Sequence, residues 1–223
     1  MSAFESAPSA GPAASLVLPI FPLPDATLFP HTFMPLHIFE ARYRALVTDA
    51  LARDRRLCVV RLLPGYERHY DGKPAVAAIA GAGEIVKWER LPSGRYNILV
   101  KGAWRVRIER ERPSDTLYRL VSARRLVDGP PPVDASALVG RVRVACGRLL
   151  DALERPRDLL DTLLATDQPP AVIADRAAAA FVPDPRLRQE LLETLAVANR
   201  LERLSAALET LVDELPDGRG GAG

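Results

Sequence analysis

The chain has 223 residues, 48% hydrophobic and 26% charged, with a mean hydropathy of +0.00. That is a soluble, globular balance, and the length suffices for one substantial core or two smaller domains. A net charge of +2 argues neither for nor against a polyanionic partner.

The N-terminus, MSAFESAPSAGPAAS, lacks a basic n-region and a long apolar h-region, so it does not read as a secretory signal. Residues 1–15 read instead as a disordered tail, and PDGRGGAG at the other end as a second one over 216–223. No apolar run reaches membrane-spanning length. Cys58 and Cys146 sit in apolar runs without CxxC spacing, as buried reduced thiols of a cytoplasmic protein do. Of the 30 basic residues only Lys73, Lys87 and Lys101 are lysine. Arg often marks phosphate or carboxylate recognition. Beside so much Ala, Pro and Gly, base composition explains the bias more simply.

LPIFPLPDATLFPHTFMPLHIFEARYRAL, Leu18 to Leu46, mixes prolines with large apolar residues. Proline cannot donate to a ladder, so it belongs at strand edges, ends and bulges. The stretch therefore predicts edge and crossover segments of a small irregular barrel, with side chains in the core. ARYRALVTDALAR then spaces Tyr43, Leu46, Val47, Ala50 and Leu51 as a helix. RRLCVVRLL is an apolar run fit for a central strand. GEIVKWERL and RYNILVKG flank Pro92-Ser93-Gly94 as a hairpin. AWRVRIERE alternates, with Trp104, Val106 and Ile108 on one face and Arg105, Arg107 and Glu109 on a solvated one. LYRLVSARRLV continues in the same manner.

DGPPPVD marks a boundary, after which the period becomes helical. ASALVGRVRVACGRLLDALE, RDLLDTLLATD and PAVIADRAAAAF read as three helices. Asp184 as N-cap and Pro185 at the first position then open a single long helix. Its stripe runs through Leu187, Leu191, Leu195, Ala198, Leu201, Leu204, Leu208, Leu211 and Leu215, about 45 Å at 1.5 Å per residue. The stripe is mostly bundle core, and its end beyond about Leu204 is a candidate to reach past the bundle to a partner.

Several residues invite a functional reading. His31, His37 and Glu40 hold metal-ligand chemistry, but their spacing fits no familiar zinc motif and a structural role is expected. Gly81-Ala82-Gly83 is half of a dinucleotide loop without the third glycine, so a strand bend or bulge is expected. Arg105, Arg107, Arg110, Arg112, Arg119, Arg124 and Arg125 raise RNA binding. Glu109, Glu111 and Asp115 interleave with them, without a stacking platform, and favour a solvated strand face. Phe29, Phe33 and Met34 lie among prolines. The core is the commoner fate of such residues, yet Met and aromatics recur on adaptable binding surfaces. With Tyr66 and Tyr70 of LLPGYERHYDGKPA they form the candidate peptide-binding set.

The opening stretch resembles the start of the Lon substrate-binding domain, the N-terminal domain of ATP-dependent Lon proteases, in its LPIFPL, its LFPH and its PLHIFEARY. GAGEIVKWERLPSGRYNILVKGAWRVRI resembles that family's central hairpin. AVIADRAAAAFVP and QELLETLAVANRLERL resemble its helical segments. The likeness runs from about Leu16 to Leu215. It implies an α+β fold: a PUA-like β pseudo-barrel with one helix over 16–128, then an α-helical bundle over 134–215 ending in a long helix. It implies contact with unfolded or exposed segments of client polypeptides, in protein quality control, with a full-length Lon protease as a candidate partner. No P-loop surrounds any lysine, and the Ser-Lys peptidase domain has no counterpart in these 223 residues. The expectation is thus a non-enzymatic module without cofactor or metal. RNA binding by the PUA-like barrel is the alternative.

Overall fold

The computed structural model describes residues 15–70 and 72–214. Apart from Ser15, the two expected tails lie outside them. The first half holds β1 (Leu16–Leu23), β2 (Phe33–Ile38), α1 (Ala41–Leu51), β3 (Arg56–Arg61), a 3₁₀ turn (Tyr66–His69), β4 (Ile79–Arg90), β5 (Tyr96–Arg112) and β6 (Leu120–Leu126). The second half holds α2 (Ser136–Ala152), α3 (Asp158–Leu163), α4 (Pro170–Phe181), α5 (Pro185–Glu193) and α6 (Val197–Glu214).

The sheet runs β2-β5-β4-β3-β1-β6, and β6 also pairs with β5. Five strands therefore close into a barrel, with β2 as an added edge. Closure depends on two strands that change partner. β1 pairs antiparallel with β6 through Leu16–Pro19, then parallel with β3 through Ile20–Leu23. β5 pairs with β2 through Tyr96–Lys101, then with β6 from Arg105 onward. β3 is central, with Leu57 and Val59 entering one core and Cys58 and Val60 the barrel interior. This two-sided burial is why its sequence is a continuous apolar run. The β4–β5 hairpin turns at Gly94, φ 76°, where the N–H of Gly94 donates to Leu91 O at 2.9 Å.

The proline-rich opening resolves into β1, a crossover and β2. The crossover carries Leu28 into the core under α1 and Phe29 into the helical core, both fully buried. It lies directly on the glycines of the hairpin. A Cβ at Gly81 would come within 1.8 Å of Leu28 O, and one at Gly102 within 2.0 Å of Phe29 O. The register shift at Ala82/Gly83 is the bulge that the glycines allow.

The expected single C-terminal helix is two. Asp184 caps α5 by accepting from the Arg186 N–H at 2.9 Å, as its position predicts. The helix then stops at Glu193 and α6 begins at Val197. The break frees carbonyls for donors outside the helix. Leu192 O accepts from Arg105 Nε, Thr194 O from Arg200 Nη1, and Leu195 O from the Gly129 N–H. Leu204 and Leu208 of α6 are fully buried, and Leu211 and Val212 pack on the same core, so the far end of α6 lies against the bundle.

Arg105 also departs from the expected solvated face. Its face of β5 is covered by the bundle, and the side chain is 3% exposed. Nη1 and Nη2 donate to the Asp175 carboxylate at 3.0 and 2.5 Å. Arg200, fully buried, donates to both oxygens of Asp128 at 3.0 and 2.8 Å, while its Nε lies 3.5 Å from Asp175. Two guanidiniums and two carboxylates thus join barrel to bundle. Burial pushes the Asp175 carboxyl up against the pull of both arginines. Burial acts the same way on Asp128, but the Arg200 hydrogen bond and both guanidiniums outweigh it and hold that carboxyl below its ordinary range.

Candidate functional site

A cleft of about 310 Å³ opens where β1 and β6 part. The last link between the two strands is the Ile20 N–H, donating to Arg119 O at 3.0 Å. Beyond it β1 has only β3 as partner, and Pro22 offers no donor on the open side. The floor is apolar: Ile20, Pro22, Leu62, Tyr43 and Tyr118. The volume lies at the lower end of the ligand-cleft range of about 300–1,000 Å³.

One wall is Arg42 of α1, whose guanidinium lies 4.7 Å from the Tyr43 ring centroid and 4.9 Å from that of Tyr70. Its Nη2 meets Glu40 at 2.8 Å and its Nη1 donates to Tyr70 O at 3.2 Å. Tyr70 returns its hydroxyl to Glu40 at 2.9 Å. Glu40 is the residue before α1, and its carboxylate is committed to this triangle, not to the helix N–H groups. Arg119 forms another wall, donating through Nε to Glu111 at 2.8 Å and through Nη1 to Pro74 O at 2.8 Å. The lip carries Leu117, 69% exposed, with Lys73 and Arg112.

The phenols here are neutral donors. Burial pushes Tyr43 up to about 12. Burial, then the hydrogen bond to Asp49 at 2.7 Å, pushes Tyr118 up to about 12. Burial and the bond to Glu40 also raise Tyr70. Cys58 and Cys146 are fully buried, and burial pushes both thiols to about 12.

The candidate peptide set divides. Tyr70 lines the cleft, and Tyr66 lies beside it with ring centroids 6.2 Å apart. Phe29 is core. Phe33 is 57% exposed on the outer face of β2, and Met34, half-buried, packs under α1. Phe33 stands at the far end of β2 from Glu40, roughly 20 Å along the strand. The structure therefore does not bring Phe33 and Tyr66 into one groove. Most of the cleft escaped sequence reading, since its floor and lip come from strands and loops far apart in the chain. The one local signal was Leu117-Tyr118, an apolar pair inside a polar loop.

The other singled-out residues find different partners. His37 Nδ1 lies 2.8 Å from Asn97 Oδ1, Glu40 serves Arg42 and Tyr70, and the His31 carbonyl accepts from Arg176 at 3.4 Å. Among the described residues no three His, Cys, Asp or Glu side chains gather as a metal site. Three arginines of the run have carboxylate partners: Arg105 with Asp175, Arg119 with Glu111, and Arg124 with Glu109 at 3.8 Å. Among the described residues no helix is long and apolar enough to cross a membrane.

Residues 17–210 match the model of the ATP-dependent protease La (LON) substrate-binding domain. A Lon protease of Roseiflexus castenholzii is 31% identical over 208 residues, 91% of this chain and 25% of that protein. Lon protease 1 of Syntrophobacter fumaroxidans is 27% identical over 209 residues, again 91% and 25%. The chain thus spans about a quarter of the length of these relatives. Among solved structures, the N-terminal domain of a Mycobacterium avium complex Lon protease superposes with a TM-score of 0.68 at 20% identity, covering 87% of this chain and 98% of that one. A Lon N-terminal domain protein from Xanthomonas campestris gives 0.59 at 22% identity, covering 90% and 99%. These two likenesses concern the fold, a barrel followed by a helical bundle. The family match covers most of the 223 residues, and the chain belongs to the Lon substrate-binding domain family.

Proposed function

We propose that the protein is a non-catalytic polypeptide-binding module that holds exposed apolar segments of client proteins in the cleft between β1 and β6. The observation that carries this reading is the cleft's construction. Its floor is apolar, while Arg42, Arg119, Tyr70 and Tyr118 already have partners inside the protein. An apolar side chain can settle there without stripping the water from an unpaired polar group. Tyr66 extends the wall beyond Tyr70, and the exposed Phe33 and Phe39 of the β2 region offer a second apolar surface on the edge strand. The buried thiols supply no thiolate, which favours binding over nucleophilic chemistry. The setting that fits is cytoplasmic protein quality control, with the module acting as an adaptor to a separate full-length Lon protease.

Fluorescence anisotropy tests this with a labelled, permanently unfolded polypeptide, its folded counterpart and a short RNA, each at two salt concentrations. Selective binding of the unfolded chain that survives the higher salt, and is weakened by Leu117→Asp, is expected. Binding of RNA alone, steeply salt-dependent, would replace this reading with nucleic-acid recognition.

A further inference from the structure

The cleft's charges are uneven, and this bears on which segments it accepts. Among the described residues its lining contains Arg42, Lys73, Arg112 and Arg119 against one carboxylate, Glu111. Asp115, in the same loop, is not among the lining residues. Glu40 balances Arg42 from outside the lining, and Glu111 balances Arg119. Both guanidiniums are fixed further by carbonyls, Tyr70 O for Arg42 and Pro74 O for Arg119. Lys73 and Arg112 remain at the lip. The Lys73 side chain is 71% exposed, and its Nζ lies 3.7 Å from Glu111 Oε2, too far for a hydrogen bond. Arg112 is exposed and has no carboxylate within 4.0 Å among the described residues.

Resting on the reading of the cleft as a polypeptide site, we propose that it selects acidic–apolar segments. In these an apolar side chain occupies the floor, and an aspartate or glutamate next to it in the client pairs with Lys73 and Arg112. The match is chemical at both levels. The floor of Ile20, Pro22, Leu62 and Tyr43 takes hydrocarbon, and the lip offers two cations that, among the described residues, hold no hydrogen-bonded ion pair. Glu111 stays with Arg119, which offsets its charge beside an incoming acid. A segment flanked by lysine or arginine meets the two lip cations and is disfavoured, which makes the lip a device against basic clients as well as for acidic ones.

The test uses the full chain and three fluorescein-labelled peptides sharing one Phe-Leu core, flanked by aspartate, serine or lysine. The wild type is expected to bind them in the order aspartate, serine, lysine. Each step should be roughly 2- to 5-fold, the size of an exposed ion pair, and should shrink as salt rises. In the Lys73→Glu/Arg112→Glu protein the order should reverse. Both positions are exposed, so the variant keeps its fold, checked by its melting temperature. Equal affinity for the three peptides, or an aspartate preference unchanged in the double variant, would overturn the charge selection and leave peptide binding standing. Failure of all three peptides to bind would overturn the underlying reading too.

Discussion

Asp175→Asn should be the most damaging single change at the join between barrel and bundle. In the wild type Arg105 and Arg200, 3% and 0% exposed, face Asp175 and Asp128 at 1% and 25%, so two positive charges meet two negative ones. The amide removes one negative charge and leaves the Arg105 fork against the more distant Asp128, whose Oδ1 is 3.5 Å away. Stranding a buried charge in this way costs about 3–5 kcal/mol. For a domain of this size that is a fall in melting temperature of roughly 6–20 °C, read by differential scanning fluorimetry and by urea denaturation. Replacing the pair together, Arg105→Met with Asp175→Leu, removes both charges and should cost less than Asp175→Asn alone. A cost under about 1 kcal/mol for Asp175→Asn, or a double replacement that costs as much as its two single changes added, would refute this role for the buried charges.

Three further outcomes follow from the same contacts. Gly81→Ala and Gly102→Ala place a Cβ within 1.8 and 2.0 Å of backbone oxygens of the crossover, which no rotamer change relieves, so soluble yield should collapse, whereas Gly140→Ala in α2, with nothing within 4 Å, should express normally. Cys58 and Cys146, buried with thiols near 12, should resist a thiol reagent at pH 8 in the native protein and both react in denaturant. Asp128 has a native value below its unfolded 3.8, so its stabilisation is complete above 3.8 and is lost as pH falls through the native value. The gap in melting temperature between wild type and Asp128→Asn should therefore be widest near neutral pH and close below pH 3.8; a gap that persists at lower pH would show that the carboxylate charge does not matter.

Local pattern reported what local contacts decide. The alternation of Trp104, Val106 and Ile108, the turn at Gly94 and the apolar run of β3 each follow from neighbours along a strand, and each was legible. Arg105 was not, because alternation says only that it leaves the barrel interior. Whether that side meets water or a second layer is decided by α4 and α6, some 70 and more residues later. The break between α5 and α6 was hidden for a related reason. Apolar spacing of three or four continues through Leu195, and no glycine or proline marks the stop. At the break the carbonyls of Leu192, Thr194 and Leu195 accept from Arg105, Arg200 and Gly129, contacts that come from other parts of the chain or from α6. The cleft was illegible on the same grounds: Ile20, Arg42, Leu62, Lys73 and Arg119 share a surface only after the barrel closes.

Closure also explains why the cleft and the bundle sit where they do. A closed ring has no sheet edge to cap, but a strand that changes partner must interrupt a ladder at the changeover. β1 does so between Pro19 and Ile20, and the proline placed two residues on, Pro22, needs no partner on the vacated side. The gap is lined by the floor residues of the cleft. β5 does so between Lys101 and Arg105, where Gly102 lets the crossover backbone lie against the sheet: its N–H donates to Thr32 O and its carbonyl accepts from the His31 N–H, both at 2.9 Å. Arg105, the first residue paired with β6, turns outward into the bundle. One changeover thus opens a recess and the other builds the socket for the helices. The prolines and glycines that looked like breakers in the sequence are the residues that let both interruptions occur without a stranded backbone donor or a clash.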